Sequence, residues 1–161
     1  MYATDVSYIN APKDVHENYV YLSAVIHHKT KKIVGFRLSK SNNLDFVLDN
    51  IKDIQNENFN NFIIHSDHGF QYTNQEYIDR ITKFGGVVSM SRVGNSLDNR
   101  EIEYWFGVIK TELLNDLDYT KITFGELNEK IREYIFWYNN DRIQSNLGWK
   151  TPQQFAMAFI N

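Results

Sequence analysis

Residues 62–65, with the sequence Phe-Ile-Ile-His, form a short apolar run without polar alternation. Strands of this kind are usually buried on both faces, as in the parallel or central part of a sheet that is covered on both sides. The run is followed by Asp67 and Gly69, so polar and turn residues begin where the strand should stop. This segment therefore predicts an α/β fold with a buried strand ending at an acid.

The rest of the chain predicts the order of the elements. Aromatic and β-branched residues predict strands over 4–9, 19–27, 33–38 and 87–90, of which the first three form an antiparallel meander. Apolar spacings of three and four predict helices over 44–54, from Thr73 to Phe84, from Asp98 onward, and over 123–138 and 151–159. The result is one α/β domain over residues 1–161, with a five-stranded mixed sheet flanked by helices.

The composition limits the class of protein. The chain has 161 residues, no cysteine and a net charge of −3. The lack of cysteine excludes disulfides and thiolate metal sites and fits a cytoplasmic location, and no apolar run has membrane-spanning length. The negative charge excludes a basic DNA-coating protein. A DNA enzyme of this composition needs local basic patches, divalent cations or a second domain for its affinity.

Three acids stand at special places in this order of elements. Asp5 lies in the first strand, Asp67 follows the buried strand, and Glu103 lies one turn into the helix that begins near Asp98. Ligands of α/β sheets gather at the carboxyl ends of strands. A sheet with its first and fourth strands side by side brings Asp5 and Asp67 together, and the helix then lays Glu103 across the same edge.

Three converging carboxylates repel one another, at about 4 kcal/mol for each pair about 4 Å apart in an effective dielectric of about 20. They therefore either protonate or bind a cation. Oxygen ligands suit Mg²⁺ or Mn²⁺, and two such ions can bracket a phosphodiester. The alternative from spacing alone is that Asp67 is an ordinary turn residue before glycine and Glu103 a solvated helix acid.

Several separate blocks resemble one known family. They are Thr4-Asp5-Val6-Ser7, His65-Ser66-Asp67-His68-Gly69, Ser89-Met90-Ser91-Arg92, Tyr138-Asn139-Asn140-Asp141-Arg142 and Thr151-Pro152. In this order, with 35 residues (68–102) between Asp67 and Glu103, they resemble the catalytic cores of insertion-sequence transposases of the IS-three family, which are related to retroviral integrases. The resemblance implies a ribonuclease H-like fold and metal-dependent DNA strand transfer by Asp5, Asp67 and Glu103.

The resemblance also suggests which residues contact DNA. Lys110 shares a helix face with Glu103 and Gly107, from which its ammonium group reaches a phosphate beside the metal ions. The alternative is a surface lysine that offsets Asp116 or the end of the helix. Arg92 and Asn95 lie in the loop before this helix and are expected either to contact a DNA strand end or to be solvated.

Two histidines flank the second acid. His65 and His68 are expected to support Asp67 through hydrogen bonds rather than to bind metal, because the three acids already supply the ligands. Arg100 departs from the family pattern, in which alanine is commoner at this position, and its role is left open. Arg142 is expected to pair with a carboxylate or a helix end, and Tyr134, Trp137 and Tyr138 are expected to lie in the core.

Three functions are compatible with these observations. The first is a catalytic domain that cleaves element ends and joins the 3′-hydroxyl to target DNA as a homodimer or larger assembly. The second is a hydrolytic nuclease of the same fold, and the third is a catalytically idle fragment that binds DNA or dimerises. The family normally carries N-terminal helix-turn-helix regions, which are expected to be absent here.

Overall fold

The computed structural model describes residues 1–55, 61–90 and 99–160. Its strands are β1 (Tyr2–Asn10), β2 (Tyr19–His27), β3 (Ile33–Ser39), β4 (Ile63–Ser66) and β5 (Val87–Met90). Its α-helices are α1 (Leu44–Gln55), α2 (Gln75–Lys83), α3 (Arg100–Glu112), α4 (Phe124–Asn140) and α5 (Pro152–Ile160). The predicted order of three strands followed by alternating helices and strands is confirmed.

The five strands form one mixed sheet in the order β3-β2-β1-β4-β5. Strand β2 is antiparallel to β1 and β3, and β4 is parallel to β1 and β5. The predicted meander is therefore confirmed, and the first and fourth strands lie side by side, which is the condition under which Asp5 and Asp67 come together. The apolar run in β4 is buried from Ile64 onward, whereas Ile63, at the first position of the strand, is 43% exposed.

Helices cover both faces of the sheet. Alternate residues of a strand point to opposite faces, so neighbouring residues of β1 pack in different cores. Ala3 of β1 packs in a core with residues of α3 and α4, such as Ile102 and Ile131. Its neighbour Tyr2 packs in a second core with residues of α1 and α2, such as Ile51. The middle of β1 and the end of β4, where Asp5 and Asp67 lie, therefore rest on a sheet that is covered from both sides.

The beginning of α2 differs from the prediction. The helix starts at Gln75 rather than at Thr73, because the extended Asn74 is its N-cap and accepts the Glu76 N–H at 2.8 Å. Thr73 belongs to the preceding turn, where its N–H donates to the carbonyl of Gly69. An asparagine side chain at this position satisfies a backbone donor that the helix itself leaves unpaired.

The beginning of α3 also differs. Asp98, near which the sequence predicts the start of this helix, lies outside the described residues, as do residues 91–97. Asn99 occupies the N-cap position without a side-chain cap. Glu101 pairs with Lys31, with 2.6 Å between Oε2 and Nζ.

Hydrogen bonds stabilise helix α4 near both ends. A capping box of Thr123 and Glu126 begins it. Near its end, the buried side-chain amide of Asn139 accepts from the N–H of Ile33 at 2.9 Å and donates to the carbonyl of Ile33 at 2.8 Å. One amide thus satisfies both backbone groups at the start of the edge strand β3, and docks α4 on that strand.

The aromatic and basic residues of the C-terminal part are mostly placed as expected. Arg142 donates from Nε and Nη2 to the carboxylate of Glu112, which confirms the predicted structural pairing. Tyr134 and Tyr138 are buried, as predicted. Trp137 is 44% exposed, so its predicted core position is wrong. It lies at the border between solvent and the helix face on which Tyr134 and Tyr138 are buried.

Candidate active site

The parallel pairing of β1 and β4 places the first two acids together. Ala3 lies beside His65 in this pairing. Continuing the register by two residues brings Asp5 level with Asp67, just past the end of β4. Asp5 shares the strand face of Ala3, which packs beneath α3. The two acids therefore lie side by side, Asp67 just past the carboxyl end of β4 and Asp5 within β1, on the side that α3 covers.

Glu103 reaches this edge from the first turn of α3. The helix is held on the sheet by Ile102 and Phe106, which are buried in the core that contains Ala3. Its start is tied to β1 directly, because the side-chain N–H of Asn99 donates to the carbonyl of Thr4 at 3.4 Å. Since Thr4 precedes Asp5, this contact joins the segments that carry two of the three acids.

The electrostatics show that the charged groups act on one another. Burial raises the pKa of Asp5 to about 7, and repulsion from Asp67 and Glu103 contributes to this rise. The backbone N–H of Val6, which donates to Asp5 Oδ1 at 2.8 Å, and the charge of Lys110 lower this pKa. One half-buried carboxylate thus feels two other carboxylates and an ammonium group.

The side chains of the three acids are near one another but do not converge on a common point. Across residues 1–55, 61–90 and 99–160, no three His, Cys, Asp or Glu side chains are grouped closely enough to hold a metal ion as they stand. Asp67 and Glu103 are exposed, so their side chains can turn toward Asp5. An all-carboxylate donor set, whose members oppose ionisation of Asp5, fits a hard dication that neutralises it.

Sequence comparison identifies the family. Residues 1–96 match the integrase core domain family, and residues 103–158 match a second family with the same description. The chain belongs to the integrase core domain family. The predicted resemblance to integrase-type transposases is thereby confirmed, although these matches do not single out the IS-three family.

Relatives of this integrase core include bacterial transposases. It is 32% identical over 154 residues to the transposase for insertion sequence element IS904 of Lactococcus lactis, covering 94% of this chain and 58% of the relative. It is 33% identical over 139 residues to the putative transposase InsK for IS150 of Escherichia coli, covering 84% of this chain and 48% of the relative. The chain spans about half the length of these relatives.

Solved structures with the same fold include retroviral integrases. The catalytic core domain of HTLV-2 integrase in complex with magnesium has a TM-score of 0.71 at 15% identity, covering 96% of this chain and 93% of that one. A chain of the simian T-cell lymphotropic virus intasome has a TM-score of 0.78 at 13% identity, covering 96% and 52%. The predicted ribonuclease H-like fold of this integrase core is confirmed.

The predicted DNA-contact residues are only partly described. Lys110 lies on α3, and its charge lowers the pKa of Asp5, so its ammonium group is near enough to act on that carboxyl. With Tyr8, Asn10 and Tyr119 it lines a cavity of about 300 Å³. Arg92 and Asn95 lie outside the described residues, and their expected contact with a strand end stays a prediction.

The two histidines differ in their surroundings. His65 is buried, and its Nδ1 lies 2.9 Å from Ser89 Oγ on the neighbouring strand β5. It thereby joins β4 to β5 beneath the end of the strand that precedes Asp67. His68 is exposed, as is Arg100 at the first residue of α3. The supporting role expected of both histidines stays a prediction.

The sequence interpretation overlooked two residues of this site. Asn99 is buried and lies four residues before Glu103, a spacing that places both on one helix face. Tyr72 is buried, which raises its pKa well above the usual range, and the charges of Asp5 and Asp67 raise this pKa further. Both residues stand in segments that resemble the family, Gln71-Tyr72-Thr73 and Asp98-Asn99, but the resemblance was not used to give them a role.

Gly107→Ala is expected to stabilise this integrase core by about 0.5–1 kcal/mol, because glycine lowers the stability of a helix interior. A Cβ atom at Gly107 would meet nothing within 4 Å. The matched control is Gly86→Ala, which should destabilise the fold because its Cβ would lie 2.6 Å from the Phe62 ring. Urea unfolding of both variants measures the difference, and a loss of stability in Gly107→Ala would show that the fold itself requires this glycine.

Proposed function

We propose that this chain is the catalytic core of a transposase that cleaves the ends of a DNA element and joins the 3′-hydroxyl to target DNA. The observation that carries the proposal is that the register of β1 and β4 brings Asp5 level with Asp67, and that the charges of Asp67 and Glu103 both raise the pKa of Asp5. Membership of the integrase core domain family and similarity to bacterial transposases support the reaction class.

The three carboxylates are proposed to hold divalent cations, Mg²⁺ or Mn²⁺ and two in number, which supply Lewis acidity toward a phosphodiester when bound. Asp5 is the fixed ligand, because it lies on the central strand β1 and its Oδ1 accepts from Val6. Asp67 and Glu103 are exposed and close the site by turning toward it. The HTLV-2 integrase core with magnesium shows that this fold accommodates the metal in another protein.

The remaining residues are proposed to bind and orient the DNA. Lys110 offers an ammonium group to a phosphate beside the acids, as its effect on Asp5 supports. Arg92 and Asn95 are proposed to hold the strand end. His65 and His68 are proposed to steady the segment that carries Asp67, and the contact between His65 and Ser89 supports the part played by His65.

The working enzyme is proposed to act in the cytoplasm as a single catalytic core, residues 1–161, within a homodimer or larger assembly that holds two element ends and a target. Dimeric and trimeric forms of the HTLV-2 core show that related folds associate. In the described part of this chain, none of the helices has the length and apolar character needed to cross a lipid bilayer.

The test incubates the protein with a pre-cleaved element end, a target plasmid and Mg²⁺ or Mn²⁺. Joined products that disappear in Asp67→Asn support the proposal. Cleavage without joining would identify a hydrolytic nuclease of the same fold instead. Products that are equal for the wild type and for Asp67→Asn would contradict a role for this acid and indicate a fragment that only binds DNA or dimerises.

Added Mg²⁺ is expected to raise the melting temperature more at about pH 8 than at about pH 5. The folded-state pKa of Asp5 is about 7, so this carboxyl is ionised at the higher pH and protonated at the lower one, where a cation must displace the proton. Thermal unfolding with and without MgCl₂ measures the shift, with NaCl of equal ionic strength as the control. An equal shift at both pH values would contradict a metal site that includes Asp5.

A further inference from the structure

The first turn of α3 carries Glu103, and the residues that the structure describes provide it with no side-chain cap. Asn99 makes no side-chain cap with this helix, although helix starts leave several N–H groups without intrahelical partners. Two tertiary contacts hold the turn to the sheet instead. Asn99 donates to the carbonyl of Thr4, and Glu101 pairs with Lys31. The placement of Glu103 therefore depends on residues outside its own helix.

The ammonium group of Lys31 is held in its ion pair with Glu101 by its surroundings. It lies between β2 and β3, and its side chain is only 16% exposed. Its Nζ lies 2.6 Å from Glu101 Oε2 and donates to the carbonyl of His28 at 2.7 Å. The ammonium group is thus held by two acceptors from two segments, unlike a solvated lysine at a hairpin tip, which is what the turn sequence suggests.

The backbone of Lys31 adds an independent observation. Its φ is +58°, in the left-handed region where a side chain costs energy and glycine or asparagine is usual. A lysine is present at this turn position despite that cost. Glycine would be less strained at this position, and the contact that the lysine side chain makes here is with the helix that carries Glu103.

We propose that Lys31 is a positioning residue for Glu103, because its ion pair with Glu101 fixes the first turn of α3 against the β2–β3 turn. The inference rests on the proposed function, in which Glu103 binds metal. The two glutamates are two residues apart, so a shift of Glu101 moves the Glu103 carboxylate with it. A direct contact of Lys31 with DNA is disfavoured because two protein acceptors already hold its ammonium group and its side chain is mostly buried.

The experiment compares Lys31→Gly, Lys31→Arg, Glu101→Gln and the double variant Lys31→Gly/Glu101→Gln. Glycine removes the ammonium group and relieves the left-handed backbone, so the fold should survive. The control is Lys52→Ala, which breaks the exposed pair between Lys52 and Asp49 on α1, on the other side of the sheet. Measured quantities are kcat and KM for joining, Mn²⁺ affinity by calorimetry, melting temperature, and amide hydrogen exchange over residues 101–104.

Lys31→Gly and Glu101→Gln should each lower kcat and Mn²⁺ affinity by about tenfold, with an unchanged KM for DNA, because supporting contacts of this kind set the geometry of metal ligands. Amide exchange over residues 101–104 should rise in both variants. Lys31→Arg should stay near the wild type, the double variant should lose no more than either single one, and Lys52→Ala should match the wild type.

Unchanged kcat and Mn²⁺ affinity in Lys31→Gly would overturn the proposal, as would a loss that follows the melting temperature or that affects KM alone. Failure of the proposed function can be distinguished from failure of this inference, because the wild-type protein would then join no DNA. In that case Mn²⁺ affinity and amide exchange decide the positioning role, and unchanged exchange in Lys31→Gly would still overturn it.

Discussion

Asp5→Asn is expected to abolish DNA joining, by about a thousandfold or more, while it raises the melting temperature of the metal-free protein. The activity is lost because an amide does not replace the charged metal ligand. The stability rises because burial, with repulsion from Asp67 and Glu103, raises the pKa of Asp5 to about 7 and so disfavours its ionised form. The amide oxygen of asparagine can still accept the hydrogen bond from Val6.

The size of this gain follows from linkage. A folded-state pKa about 3 units above the unfolded value corresponds to about 4 kcal/mol at most, so we expect about 2–4 kcal/mol once the cost of burying an amide is included. The gain is fully present above about pH 7 and shrinks as the pH falls toward about 4, because protonation of Asp5 in the folded chain relieves the same penalty.

Thermal unfolding from about pH 8 to about pH 5 measures this effect, at about 2–4 °C for each kcal/mol in a chain of this size. The matched control is Asp141→Asn, an exposed aspartate at the end of α4, which should change neither stability nor joining. A lower melting temperature for Asp5→Asn at about pH 8, or joining at the wild-type rate, would contradict this account.

Asn139→Ala is expected to lower the free energy of unfolding by about 2–4 kcal/mol. The amide of Asn139 satisfies both the N–H and the carbonyl of Ile33, which is buried at the start of the edge strand β3. Alanine leaves these two backbone groups without their partner, and an unsatisfied buried group costs more than an ordinary hydrogen bond contributes. The residue matters because it docks α4 on the sheet, not because it contacts substrate.

Asn140→Ala is the matched control, since the neighbouring asparagine is exposed and donates only to the carbonyl of Phe136 one turn earlier. This substitution should cost less than about 0.5 kcal/mol. Urea unfolding of the two variants gives the comparison. Equal losses of stability would show that the contact between Asn139 and Ile33 does not hold the edge strand.

Much of the fold was predictable because hydrophobic periodicity changes along the chain. The strand segments of residues 4–9 and 19–27 and the apolar stripe of residues 44–54 each match an observed element. The pairing of the first and fourth strands was only a condition of the predicted site, because periodicity alone does not determine which strands pair. The start of α2 was misplaced because Thr73 and Asn74 both have suitable capping side chains, and only the turn after Gly69 decides between them.

Contacts between distant segments were less predictable. The charged neighbours of Lys31 are typical of a solvated hairpin tip, yet Glu101, 70 positions later, holds it in place. Asn139 belongs to a recognised block, but its backbone partner Ile33 is 106 residues away. Local sequence reports capping and periodicity well, whereas such polar contacts depend on how the helices dock on the sheet.

The central claim is that Asp5, Asp67 and Glu103 bind the same divalent cations. The most direct test locates Mn²⁺ by anomalous diffraction in crystals of the protein soaked at a concentration that supports joining. The account predicts Mn²⁺ contacted by carboxylate oxygens of Asp5 and Asp67, with Glu103 turned toward the same site. Mn²⁺ bound elsewhere, with the three carboxylates still apart in a protein that joins DNA, would contradict it.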